Sequence, residues 1–151
     1  MPIMHRRRLF RLLDKEQVRK AIIEAEKRTS GEICVSVAHF FWGRVHPAAE
    51  RAFRRLGMAN TRQRNGILFF IVPARKRFVV LGDEGIHAKV GQDFWEGIAA
   101  GMAGHFSKGE FAEGLMAGIK AAADGLAIHF PYEPATDVNE LPDDIDTGGK
   151  T

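Results

Sequence analysis

The sequence predicts an α/β fold with a mixed sheet and helices on both of its faces. Three observations carry this. Segments with helical periodicity alternate with β-branched and aromatic runs, giving the order α-β-α-β-β-α-α. A strand–helix–strand unit near the start demands a parallel pair with a right-handed crossover. A four-residue turn at 73–76 then folds the next strand back as a hairpin, adding an antiparallel third strand.

The first helix follows Asp14, which reads as its cap. Val18, Ile22 and Ala25 recur at three- and four-residue spacing and form one apolar face. Glu16 with Lys20, and Glu24 with Arg28, stand four apart with the acid first, the favourable order. Ser30-Gly31 ends the helix. Residues 32–41 contain Ile33, Val35, Val37 and Phe40 and read as the first strand. Trp42-Gly43 breaks it, and Pro47 marks the next helix start. Ala49, Phe53 and Leu56 line one face of that helix, while Arg51, Arg54 and Arg55 lie largely elsewhere.

Asn65-Gly66 is a turn signal. The continuous apolar run 67–72 reads as a central buried strand. Residues 77–81 form the third strand, and residues 82–85 a tight loop. Two helices follow. Val90, Phe94, Ile98, Met102 and Phe106 step every four residues, and Phe111, Leu115, Ile119, Leu126 and Phe130 continue after a break at Lys108-Gly109. Glycine pairs at 97 and 101, and at 114 and 118, predict close helix packing.

The length of 151 residues suits one domain, and 45% hydrophobic with 27% charged residues supports a true core. The lone Cys34 excludes an internal disulfide, fitting a reducing, cytoplasmic setting. Neither an export signal nor an apolar run of about 18 residues is visible, so no membrane span is expected. Charge is unevenly placed. Residues 131–151 hold six acids and one base, leaving residues 1–130 at +8 within a whole-chain charge of +3. The expected organisation is a basic N-terminal segment at 1–13, a domain at 14–130 and an acidic disordered tail at 131–151. The basic body suits a solvated helical surface, or an anion or nucleic-acid binder.

Most catalytic signatures are absent. There is no GxxxxGK[ST], no GxSxG, no CxxC and no histidine pair at metal spacing on a helix. Ser36 and Cys34 fall inside a strand, which assigns them to the sheet or core. The segment Gly82-Asp83-Glu84-Gly85 matches a GxxG, but two central acids would repel a nucleic-acid backbone. Topology makes this acidic pair informative. The parallel strands begin at one edge of the sheet, and the third strand ends there. Asp83 and Glu84 are therefore expected near Asn65 and Glu32. Carboxylates, an amide oxygen and loop carbonyls are hard donors, suited to Ca²⁺ or Mg²⁺. The alternative is an acidic turn that caps a helix. His87 opens the following helix, as a candidate ligand, acid or base, or a surface histidine near the cap.

These segments together resemble a known family. The stretch from Ser30 through Gly31-Glu32-Ile33-Cys34-Val35-Ser36-Val37 is similar to the opening strand of the TPM domain. Arg64-Asn65-Gly66-Ile67-Leu68-Phe69-Phe70-Ile71 is similar to its second strand, and Arg77-Phe78-Val79-Val80-Leu81-Gly82-Asp83-Glu84-Gly85-Ile86 to its third strand and glycine loop. Gly109-Glu110-Phe111-Ala112-Glu113-Gly114-Leu115 resembles its closing segment. The likeness spans residues 14–130. It implies a Rossmann-like, three-layer α/β/α sandwich, divalent-cation binding at the loop edge and, in some members, acid phosphatase activity. The family's usual Gly-Tyr-Gly-Leu-Glu loop here reads Gly82-Asp83-Glu84-Gly85-Ile86-His87, with His87 where the usual glutamate stands. The expectation is a cation-binding module, regulatory or in protein maintenance, with a metal site at Asp83, Glu84, Asn65 and Glu32 and a possible protein partner. A metal-assisted phosphomonoesterase using His87 is the alternative, and an anion binder the third class. Nucleic acid is not expected as a partner.

Overall fold

The computed structural model describes residues 12–39, 41–133 and 145–147. Helix α1 spans Leu12–Glu26 and leads into strand β1, Glu32–Val37. Helix α2 (Val45–Arg55) and a 3-10 turn (Met58–Asn60) precede strand β2, Gly66–Val72. A second 3-10 turn (Pro73–Arg75) joins it to strand β3, Arg77–Gly82. Helices α3 (Glu84–Val90), α4 (Gln92–Ser107) and α5 (Phe111–His129) complete the described domain.

The sheet order is β1-β2-β3. β1 pairs parallel with β2, Glu32 opposite Gly66, and β2 pairs antiparallel with β3, Ile67 opposite Gly82. This mixed sheet is the one the sequence predicts. β2 is buried along its whole length because its alternating side chains enter two apolar clusters, one on each face of the sheet.

Strand alternation divides the apolar side chains. Ile33, Val35, Val37, Ile67, Phe69, Ile71, Phe78 and Val80 pack with Val18 and Ile22 of α1, Ile86 of α3, Met102 and Phe106 of α4 and Leu115 and Ile119 of α5. Cys34, Leu68, Phe70, Val72, Val79 and Leu81 pack with Ala48, Ala49 and Ala52 of α2 and with Met58. The free thiol of Cys34 is buried here, and Ser36 is 1% exposed.

Several local readings change. α1 begins at Leu12, so Asp14 lies in its first turn and does not cap it. Arg28 bonds Asp124 of α5 at 2.6 Å, and Glu24 takes Lys27 instead. β1 ends at Val37, short of residue 41, although Ala38 still donates to the Ile71 carbonyl. α2 starts at Val45, two residues before Pro47, which the first helical turn tolerates. The expected loop at 82–85 is instead divided between the last residue of β3 (Gly82), the cap Asp83 and the first turn of α3 (Glu84 and Gly85). The glycine pairs also separate. A Cβ at Gly114 or Gly118 would press on Phe106, or on Met102 and Phe69, whereas Gly97 and Gly101 face open space. Only the second pair serves close packing.

Residues 1–11 of the basic N-terminal segment lie outside the described residues, as do 134–144 and 148–151 of the acidic tail. Residues 145–147 of that tail are described and lie against β1. Among the described residues no helix is long and apolar enough to cross a membrane.

Candidate functional site

The site lies at the edge where β1 and β2 begin and β3 ends. Glu32 N–H donates to the Asn65 carbonyl at 3.2 Å, and Asp83 N–H donates to the Gly66 carbonyl at 2.9 Å. Glu32, Asn65 and Asp83 are each buried. Parallel pairing and the hairpin together bring these three residues to one edge, as the topology requires.

Asp83 caps α3. Its Oδ1 accepts from Glu84 N–H at 2.8 Å, satisfying one of the orphan donors of a helix start. The carboxylate also receives Arg64 from the side, Nε to Oδ2 at 2.7 Å and Nη2 to Oδ1 at 2.9 Å. This two-pronged pairing matches the planar fork of a guanidinium to a carboxylate. Arg64 Nη1 reaches the exposed Glu84 carboxylate at 3.2 Å. One guanidinium thus lies between two carboxylates. The hydrogen bond to Asp83 is the main reason the Arg64 pKa is raised, with the charges of Asp83 and Glu84 adding to it.

The backbone beneath is unusual. Arg64 has φ 51°, in the left-handed region that non-glycine residues seldom enter. The left-handed residue of this turn is therefore Arg64, and Gly66 is already in the strand. Gly85 lies against the same loop, close to the carbonyl oxygens of Gln63 and Arg64. Asn65 is fixed by its N–H to Thr61 Oγ1 at 3.3 Å and by its side-chain amide to the Ser30 carbonyl at 3.4 Å.

His87 lies one turn into α3. Its Nδ1 accepts from Trp95 Nε1–H at 3.0 Å, so any proton on the neutral ring sits on Nε2. The two rings are nearly parallel, 6.5 Å between centroids. This ring is tied to α4.

A cleft of about 270 Å³ opens beside Asp83, lined by Glu50, Phe53, Arg54, Leu81, Gly82 and Asp83. Sequence reasoning missed Glu50 and Arg54. Their four-residue spacing on α2 gave the only hint that they share a face.

The donors present are hard oxygens of the kind Ca²⁺ and Mg²⁺ take. Their number is small. Among the described residues no group of three or more His, Cys, Asp or Glu side chains is placed to hold a metal ion. An ion taken between Asp83 and Glu84 would replace the guanidinium charge and complete its shell with carbonyls and water.

A model described as the TPM domain matches residues 5–125. No curated protein matches the chain. Among solved structures, the NMR structure of the BA42 protein from the psychrophilic bacterium Bizionia argentinensis is 37% identical, with a TM-score of 0.84 over 89% of this chain and 92% of that one. The N-terminal domain of a P. gingivalis protein matches at 19% identity and TM-score 0.67, over 83% of each chain. The N-terminal domain of the cg2496 protein from Corynebacterium glutamicum matches at 13% identity and TM-score 0.61, over 76% of this chain and 72% of that one. The last two likenesses concern the fold alone.

Proposed function

The chain belongs to the TPM domain family, and from that premise we propose that it is a divalent-cation-binding module, regulatory or in protein maintenance, built as a three-layer α/β/α sandwich. The observation that carries this reading is the convergence of Asp83 and Glu84 on a single cationic group, the Arg64 guanidinium. That group marks the position of a positive charge at the sheet edge. Ca²⁺ or Mg²⁺ takes the same position when the 41%-exposed Arg64 side chain swings out. Glu32 and Asn65, buried at the same edge, supply negative charge and a neutral oxygen behind the two carboxylates. With so few carboxylates and an internal competitor, affinity is modest.

Calorimetric titration of Ca²⁺ and Mg²⁺ into the metal-free protein tests this. Binding heat should vanish in Asp83→Asn/Glu84→Gln and rise in affinity several-fold in Arg64→Ala. A double variant that binds like the parent would place the site elsewhere. An Arg64→Ala protein that binds no better would remove the guanidinium as the marker of the ion's position.

A metal-assisted phosphomonoesterase is the second reading, favoured by Arg54 standing in the same cleft as Asp83. Such an enzyme needs a cationic group to offset charge developing on the phosphoryl oxygens. His87 would first have to release Trp95. Metal-dependent turnover of an aryl phosphate, lost in both Arg54→Ala and Asp83→Asn, would put this reading first. Absence of turnover would leave the binding module.

A further inference from the structure

The outer edge of β1 carries a second built site, far along the chain from the acidic loop. Residues 145–147 run along this edge in parallel bridge geometry, Ser36 opposite Asp146. Asp146 N–H donates to the Val35 carbonyl at 2.9 Å, and Val37 N–H donates to the Asp146 carbonyl at 2.8 Å. The Asp146 carboxylate accepts from the Ser36 hydroxyl at 2.7 Å. It also takes both ends of the Arg55 fork, at 3.1 and 2.7 Å. The preceding side chain alternates to the other face, where Ile145 packs against the cluster shared by α1 and α5.

We propose that the β1 edge is a recognition slot for an extended apolar–Asp segment, filled in cis by Ile145-Asp146. Each requirement of the slot is met by one group. The strand edge supplies main-chain pairing, as in strand addition generally. Arg55 and Ser36 together select a carboxylate over an amide or a hydroxyl, since Arg55 has no acceptor and its fork fits two oxygens. The apolar layer selects the residue before the Asp. Among the described residues the hold is one bridge, with Arg55 42% exposed at its outer side. It therefore relies on tethering, which for short linkers is worth an effective concentration in the millimolar range. A free segment at lower concentration competes poorly until the cis contact is weakened.

The test uses the full chain and a labelled synthetic peptide of residues 139–151. Asp146→Ala should bind the peptide at least about tenfold more tightly than the parent, because its own segment is weakened as a competitor. A peptide carrying Ala in place of Asp146 should not bind, and neither should Arg55→Ala/Asp146→Ala bind the unmodified peptide. No binding to Asp146→Ala, or equal binding of the two peptides, overturns the slot. An independent measurement needs no peptide. In Arg55→Ala the Val37 amide should exchange with solvent faster than in the parent. Unchanged protection would show that the carboxylate contact does not hold the segment.

Discussion

Gly85 shows how much of the acidic site depends on the absence of one side chain. A Cβ there would collide with the Gln63 carbonyl oxygen and stand 2.6 Å from that of Arg64. Backbone cannot yield as a flexible side-chain end can. Gly85→Ala should cost about 1–3 kcal/mol in urea unfolding and should loosen the Arg64–Asp83 pair. Asp83 was legible in the sequence as an acid at the returning edge, and its cap role was among the readings weighed. Arg64 was legible as a neighbour of that edge, but an arginine flanking a turn reads as solvated, so its clamp on Asp83 was not. It joins residues 19 apart through a left-handed turn, and the Asn65-Gly66 signal drew the turn one residue too late. A second ion pair gives a pH prediction. The Asp124 carboxyl is held below the ordinary carboxylate range, chiefly by the hydrogen bond from Arg28, with the charges of Lys120 and Arg28 adding. A folded pKa below the unfolded one stabilises at higher pH and is lost as pH falls through the folded value. The pair is half-exposed, so the effect on stability is small. An NMR titration should place the Asp124 midpoint below that of an ordinary aspartate and return it upward in Arg28→Ala.

At the level of elements, α4 and α5 use glycine in opposite ways. Gly118 lets α5 approach Met102 of α4 and Phe69 of β2, and an added Cβ would stand 2.6 Å from the Met102 sulfur. Gly101 meets nothing. Gly101→Ala should therefore stabilise by about 0.5–1 kcal/mol, through lower unfolded-state entropy and better helix propensity. Gly118→Ala should destabilise by about 1–3 kcal/mol, since the core cannot take the methyl without shifting. Chemical denaturation of the two variants checks the signs, and equal effects would contradict the packing described. Spacing alone treats the pairs at 97 and 101 and at 114 and 118 as equivalent. Only the docking of α5 on the sheet separates them. The break at Gly91 that separates the seven-residue α3 from α4 escaped notice for a related reason, and the two read as one helix from His87 on. Its one buried residue, Ile86, gives no periodicity to read. Strands β2 and β3 were plain because their apolar runs end at a proline and a glycine. Glu50 and Arg54 were hidden because an exposed helical face looks solvated until β3 is laid beside it.

Across the whole molecule the sheet should exchange with solvent in a fixed order. β2 is hydrogen-bonded on both sides and buried at all seven positions. Its amides open only when the domain unfolds, so their exchange reports global stability. β3 is a partly exposed edge beginning at the exposed Arg77, and charge at an edge discourages pairing with other chains. Its alternate amides point toward β2 and away from it, as antiparallel pairing requires. Native-state hydrogen exchange should therefore find the slowest amides in Gly66–Val72, and a two-residue alternation of fast and slow amides in Arg77–Gly82. β1 should fall between the two, with Val37 protected by Asp146 on the outer side. Uniform protection along β3 would mean that another segment covers its outer edge. Fast exchange in β2 would mean that the two apolar clusters separate without global unfolding, and the domain would then not be one cooperative unit.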